Sequence, residues 1–240
     1  MGKNKVILWD FDSTLADCPG HFTGALVDVL NNYEPGHHVS REQIRPFLSE
    51  GFFWQKPWKT HSHITNADDW WSEMNLTFKR AFEGVDFNPN RAQELARLVR
   101  KYYINPYRFK LYDDTLPTLI ALQEKGWKQG ILSNHVPELA DIVNSIGLSP
   151  FIDFCISSAV SGYEKPNPQA FKNALHVAGN PEKVWMIGDN ADADVSGAEA
   201  VGIKAILVRK PNTSGVKHCA PNLTSTIKII ESEEMTQQKL

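Results

Sequence analysis

The chain has 240 residues, 42% of them hydrophobic, enough for one large or two small domains around a buried core. Its 25 Lys and Arg stand against 28 Asp and Glu, a net charge of -3, which excludes a strongly basic nucleic-acid binder and a disordered acidic chain. Cys18, Cys155 and Cys219 lie far apart with no Cys-x-x-Cys, so neither a disulfide framework nor a structural zinc site is expected. The first apolar run breaks at Asp10 and Asp12, too early for a signal-peptide core, and no stretch approaches the roughly 18 apolar residues of a membrane span. The expectation is a cytoplasmic protein with neither a membrane nor a nucleic-acid partner; nothing in the sequence speaks to its oligomeric state.

The first predicted element is a strand over Lys5–Trp9, an apolar run of the kind buried under helices on both faces. About a hundred residues follow before the next clear strand, and they read as helical. Ser40-Arg41-Glu42-Gln43 is a capping-box pattern ahead of Ile44, Phe47 and Leu48. Helix-period apolar positions mark 66–82 and 90–103, with Asn90 as the expected cap of the second. Pro106 and the Asp113-Asp114 pair mark the return.

Beyond them helices and strands alternate. Helices are predicted over 115–125, 138–146, 168–177 and 194–201, each stopped by a glycine (Gly126, Gly147, Gly179, Gly202) that tolerates the left-handed conformation. Strands are predicted over 127–132, 152–156, 184–187 and 203–208. Strand and helix in turn, with short connections, predict an α/β fold: a parallel, Rossmann-like sheet with helices on both faces. The polar segment 231–240 is expected to be a flexible tail.

Four groups of chemically capable residues follow predicted strands directly. In Asp10-Phe11-Asp12-Ser13-Thr14, two carboxylates two residues apart would share a face if the strand continued, and two like charges that close call for a hard cation such as Mg²⁺. In Gly188-Asp189-Asn190-Ala191-Asp192-Ala193-Asp194, Asp189 is the candidate to share that metal, while Asp194 could orient its neighbours or cap a helix. Asp192 reads as an acidic residue favoured by a helix start. Ser133-Asn134-His135 offers a hydroxyl and backbone N–H groups to phosphate oxygens, and Lys165, before Pro166, offers a positive charge. Ligands of open α/β sheets bind beyond the carboxyl ends of the strands, where all four groups fall.

Asp10-x-Asp12-x-Thr14, Ser133, Lys165-Pro166 and Gly188-Asp189-Asn190-x-x-x-Asp194 resemble, in order and spacing, the four motifs of the haloacid dehalogenase-like hydrolase superfamily. The resemblance implies a catalytic core of residues 1–16 and 111–230 and a helical cap domain over 17–110. It implies a phosphatase acting on a small phosphorylated metabolite, with Asp10 as nucleophile and Asp12 as general acid/base. Ser133, Asn134 and Lys165 would bind phosphate. Mg²⁺ would be held by Asp10, the Asp12 backbone carbonyl and Asp189, with Thr14 and Asp194 in support. Ser13 departs from the family, where Gly is commoner.

Within that superfamily dehalogenases place a non-carboxylate where this chain has Asp12, which favours phosphoryl transfer; a phosphomutase, a haloacid dehalogenase and a catalytically silent binding member are the alternatives. A phosphonatase would need a Schiff-base lysine, and Lys56, Lys59 and Lys79 read as surface residues. Trp54, Trp58, Trp70 and Trp71 are expected to pack the cap's own core or in part to line the cleft, and His61 and His63 to have a surface or cleft role.

Overall fold

A computed structural model describes residues 4–213 and 215–237. Its main sheet is built from β1 (Lys5–Trp9), β4 (Lys128–Ser133), β5 (Phe154–Ser157), β6 (Lys183–Gly188), β7 (Lys204–Val208) and β8 (Cys219–Ala220), in the order β5-β4-β1-β6-β7-β8 with every pairing parallel. Two further strands, β2 (Ala16–Asp17) and β3 (Lys110–Leu111), form a small antiparallel pair apart from this sheet. The helices are α1 (His21–Tyr33), α2 (Arg41–Ile44), α3 (Ala67–Gly84), α4 (Pro89–Tyr103), α5 (Thr115–Glu124), α6 (Leu139–Ser145), α7 (Ser158–Ser161), α8 (Pro168–Val177), α9 (Gly197–Glu199) and α10 (Leu223–Gln237). Among them none is long and apolar enough to cross a membrane.

Strand alternation divides the core into two layers. Val6 and Leu8 of β1 join Leu132, Met186, Phe171 and Ala198 on one face. Ile7 and Trp9 join Leu119, Leu139 and Ile230 on the other. Each Val, Leu, Ile, Met or Phe side chain among them contributes roughly 1.5–3 kcal/mol when fully buried. The second layer continues into the segment between β2 and β3, where α1, α3 and α4 pack around Leu26, Phe78 and Leu95. A polar clamp crosses this layer: Trp9 Nε1 donates to Gln129 Oε1 at 3.1 Å, and Gln129 Nε2 donates to the Leu119 carbonyl at 2.9 Å, all buried.

The five expected strands are present. The sheet's sixth member, β8, was not predicted, nor was α1. Asn88, not Asn90, caps α4, because Pro89 takes the first helical position and Asn88 accepts from the Arg91 N–H at 3.0 Å. The capping box at Ser40 forms as expected, but α2 tightens after one turn into a 3₁₀ segment. In place of a helix over 194–201, Ala191–Ser196 is π-helical and only Gly197–Glu199 is α-helical. Residues 231–237, expected as a flexible tail, continue α10; Glu231 and Glu233 pair with Lys125 and Lys204 at 2.7 Å, and Glu234 with Lys183. The rest of that expected tail, 238–240, lies outside the described residues.

Trp70 and Trp71 are buried edge to face; Phe22 and Tyr103 meet Trp71 edge to face and Phe78 meets it at a tilt, while Phe22 and Tyr103 themselves stack 4.0 Å apart at 9°. Most of the segment's aromatics thus pack into the layer it shares with the sheet rather than into a core of its own, while Trp58 is exposed.

Candidate active site

The four groups meet at the carboxyl edge of the sheet. β1 ends one residue before Asp10, β4 ends on Ser133, β6 ends one residue before Asp189, and Lys165 follows the turn after α7. The Asp10 N–H donates to the Ile187 carbonyl at 2.9 Å, so the ladder between β1 and β6 fixes the backbone where the side chain leaves the sheet.

Asp10 Oδ1 accepts from Ser133 Oγ at 2.9 Å and from Lys165 Nζ at 2.8 Å; Oδ2 accepts from Thr14 Oγ1 at 3.3 Å. Lys165 is buried, and its ammonium also donates to Asp194 Oδ1 at 2.6 Å. Burial alone would disfavour that charge, but the Asp10 and Asp194 carboxylates beside it outweigh the loss and hold the Lys165 pKa above its ordinary value. Burial pushes the Asp194 carboxyl up, opposed by the same ammonium. Their contact of 2.6 Å is short, as charge-assisted hydrogen bonds are. Asn134 acts through its side chain on the lysine's backbone: Lys165 N–H donates to Asn134 Oδ1 at 2.7 Å and Asn134 Nδ2 donates to the Lys165 carbonyl at 2.9 Å. The Asn134 side chain is therefore committed to holding Lys165, while the phosphate contact expected at this turn is through backbone N–H groups.

Carboxylate oxygens of Asp10, Asp189 and Asp194 lie within 4.8 Å of one another. Burial and then the Asp10 charge raise the Asp189 pKa, with the exposed Lys210 ammonium at 3.3 Å opposing. Three hard oxygen donors so close, only partly neutralised by Lys165 and Lys210, fit a divalent cation of the magnesium kind. Asp194 reaches this group because Gly188 has no side chain: a Cβ there would sit 2.1 Å from Asp194 Oδ2. Asn190 caps the π-turn by accepting from the Asp192 and Ala193 N–H groups, which assigns the capping role to Asn190 rather than Asp194.

The Asp12 carboxylate stands apart from that trio. Its Oδ2 lies 3.5 Å from His135 Nε2 and 3.8 Å from His21 Nδ1, and its buried Oδ1 has no hydrogen-bond partner among the described residues. Burial pushes its pKa up to about 6; His135 opposes, and the charges of Asp10, Asp189 and Asp17 add to the rise. Ser13, next to it, sits at φ 59°, the left-handed region that glycine occupies without strain.

A cleft of about 920 Å³ opens over these groups, lined on the sheet side by Asp10, Asp12 and Lys165 and on the other by Phe52, Trp54 and Tyr103. His21 and His135 also line it; His21 was not singled out in the sequence and His135 was given no role. Their signal was position alone, His135 directly after Ser133-Asn134 and His21 at the head of α1. His61 is not in the cleft but buried against the α7 loop, and His63 is exposed.

A family model described as haloacid dehalogenase-like hydrolase matches residues 4–202. The glyceraldehyde 3-phosphate phosphatase of Methanothermobacter thermautotrophicus is 35% identical over 217 residues, 87% of each chain. Haloacid dehalogenase-like hydrolase domain-containing protein 3 of Bos taurus is 31% identical over 151 residues, 62% of this chain and 59% of that protein, so the match spans less than two thirds of that relative's length. Among solved structures, YfnB of Bacillus subtilis, crystallised with magnesium, superposes with a TM-score of 0.73 at 18% identity, covering 96% of this chain and 100% of that one, a likeness of fold. With a family match of this extent on a sheet that carries all four motifs along one edge, the chain belongs to the haloacid dehalogenase-like hydrolases.

Proposed function

We propose that the protein is a Mg²⁺-dependent phosphatase that hydrolyses a small phosphorylated metabolite through an aspartyl-phosphate on Asp10. The observation that carries the reading is the convergence of Ser133 Oγ and Lys165 Nζ on one oxygen of Asp10, with the Asp12 carboxyl facing the same cleft. Groups that gather on a carboxylate oxygen in this way are placed to hold phosphoryl oxygens when a substrate enters. The glyceraldehyde 3-phosphate phosphatase relative supports the same reaction class.

In this reading an Asp10 oxygen attacks phosphorus while Ser133 and Lys165 bind its non-bridging oxygens. The phosphorus–ester oxygen bond breaks, and protonated Asp12 gives its proton to the leaving alcohol. Asp12, now a carboxylate, takes a proton from water, which attacks the acyl phosphate and frees Asp10 and inorganic phosphate. Asn134 holds the backbone of Lys165, and Asp194 holds its ammonium. Asp10, Asp189 and the Asp12 backbone carbonyl would hold Mg²⁺, with Asp194 close by; the ion supplies charge neutralisation between nucleophile and phosphate. Residues 17–110 form the cap in this reading and present Phe52, Trp54 and Tyr103 to the leaving group. The three free thiols agree with a reducing, cytoplasmic setting.

The test is a panel of phosphorylated metabolites incubated with the protein and Mg²⁺, scored by phosphate release. Release from at least one ester, abolished in Asp10→Asn, is the expected result. No release from any ester, with the protein folded and Mg²⁺ present, overturns the reading.

A further inference from the structure

His61 and Glu164 form a buried polar pair where the helical insertion meets the sheet domain. Each is 1% exposed, and His61 Nε2 lies 3.6 Å from Glu164 Oε1. His61 Nε2 is also 3.1 Å from the Ser158 carbonyl; a carbonyl only accepts, so this contact assigns the ring hydrogen to Nε2. Among the described residues neither Glu164 oxygen nor His61 Nδ1 has a hydrogen-bond partner. An unbonded, buried carboxylate costs several kcal/mol, about 1–3 or more, and is retained where it does something.

The pair lies inside a wider seam. Asn167 Nδ2 donates to the Pro57 carbonyl at 3.0 Å, Thr60 Oγ1 to the Gly162 carbonyl at 3.0 Å, and the His61 N–H to the same carbonyl at 3.1 Å. Gly162, at φ 77°, lies so near Ser62 that a Cβ would come 2.5 Å from its Cα. The Phe53 ring stacks on the His61 imidazole at 4.2 Å. The three hydrogen bonds and the Gly162–Ser62 approach join 57–62 of the insertion to 162–167, the segment that carries Lys165, while Phe53 braces the His61 ring from the insertion side.

We propose that His61 is a positioning residue: from the insertion, through the Ser158 carbonyl and the Glu164 carboxyl, it fixes the loop that presents Lys165 to Asp10. The role of Lys165 rests on the phosphatase reading above, whereas the seam itself does not. The fit of the seam also depends on protonation. Burial pushes the Glu164 pKa up to about 7, opposed by Ser158 and the Lys165 charge, while burial and His63 hold His61 below its ordinary value. These are the titratable and charged groups that face the pair. A carboxyl raised on docking is held more tightly when protonated. Its contribution is complete below the ordinary carboxyl range and is lost as pH rises through about 7. Above that point the buried, ionised Glu164 is only partly compensated by Ser158, the Lys165 charge and the His61 imidazole 3.6 Å away, and the seam loosens.

Backbone hydrogen exchange, corrected for intrinsic rates and read at about pH 6 and about pH 8, tests this directly. In the wild type, protection of 158–167 should fall between the two values while that of β1 and β4 holds. His61→Ala should raise exchange of 158–167 about tenfold at the lower pH. His61→Gln, whose amide can donate to the Ser158 carbonyl, should restore protection. Glu164→Gln, neutral and of equal size, should remove the pH contrast; it decides the matter even if His61→Ala does not fold. In phosphate-release kinetics His61→Ala should raise KM by a larger factor than it lowers kcat, because a displaced Lys165 weakens phosphate binding in ground and transition states alike. Unchanged protection in His61→Ala, no restoration by Gln, or a pH contrast that persists in Glu164→Gln overturns the proposal. A wild type that hydrolyses no ester removes the phosphatase reading and leaves the exchange result to decide the seam.

Discussion

Gly188 and Asp194 are in such close approach that the glycine's missing side chain is where the aspartate's carboxylate lies: a Cβ on Gly188 would stand 2.1 Å from Asp194 Oδ2. Asp194 in turn is one of two anchors of the Lys165 ammonium. Gly188→Ala should push Asp194 aside, free Lys165 from that anchor and lower turnover about 10²-fold, the scale of a roughly 1 Å misplacement at a reacting centre. Steady-state kinetics beside a melting curve check this; full activity would mean that Asp194 does not set the position of Lys165.

Asp10 and Asp12 should fail differently when neutralised. Asp10→Asn should take up no label from an activated phosphate donor in rapid-quench experiments, because the bond-forming oxygen is gone. Asp12→Asn should still be labelled, and its turnover should fall about 10²–10⁴-fold, less on esters with good leaving groups, which need less protonation. Label on Asp10→Asn, or an equal loss on both kinds of ester, would reverse the assignment.

The carboxylate trio should make activity metal-dependent. Exhaustive EDTA treatment should abolish phosphate release and Mg²⁺ should restore it, while Asp189→Asn should raise the Mg²⁺ concentration for half-maximal rate by about tenfold or more. Isothermal titration of Mg²⁺ into the apo protein gives a readout free of turnover. Full activity after chelation would leave the trio without a metal role.

Gln129 is a core residue with an all-polar task. Gln129→Leu keeps much of the volume but takes the side-chain partner from the Trp9 indole N–H and from the Leu119 and Phe151 carbonyls. Destabilisation of about 2–3 kcal/mol is expected from the loss of these hydrogen bonds in denaturant unfolding. A loss below about 0.5 kcal/mol would show that the clamp is replaceable by packing.

The sheet's five long strands were readable because both their faces are covered, which turns each into an unbroken apolar run. β2, β3 and β8 are two residues each, and strands of that length carry no pattern. α1 had a usable signal, with Phe22, Ala25, Leu26, Val29 and Leu30 at helical spacing. But Gly20 supplies no capping side chain and Gly24 weakens the first turn. Of the site, every strand-end residue was legible as a type in a place. Gly188 making room for Asp194, Asn134 bracing Lys165 and Ser13 adopting a glycine-like backbone are relations that only the folded chain displays. His61 was misread for the same reason: its partners lie about a hundred positions along the chain, so its burial has no local signature.

The antiparallel pairing of Ala16 with Leu111 and Asp17 with Lys110 brings the two crossings of the helical segment side by side. The pairing closes the segment at its base, so that both of its ends leave the sheet domain at one place and a change of length within it need not alter the register of the six-stranded sheet. Such an arrangement lets a lineage keep one chemical apparatus and vary what comes into contact with it. The seam at His61 then becomes the place where any newly acquired segment must relearn how to meet the lysine loop.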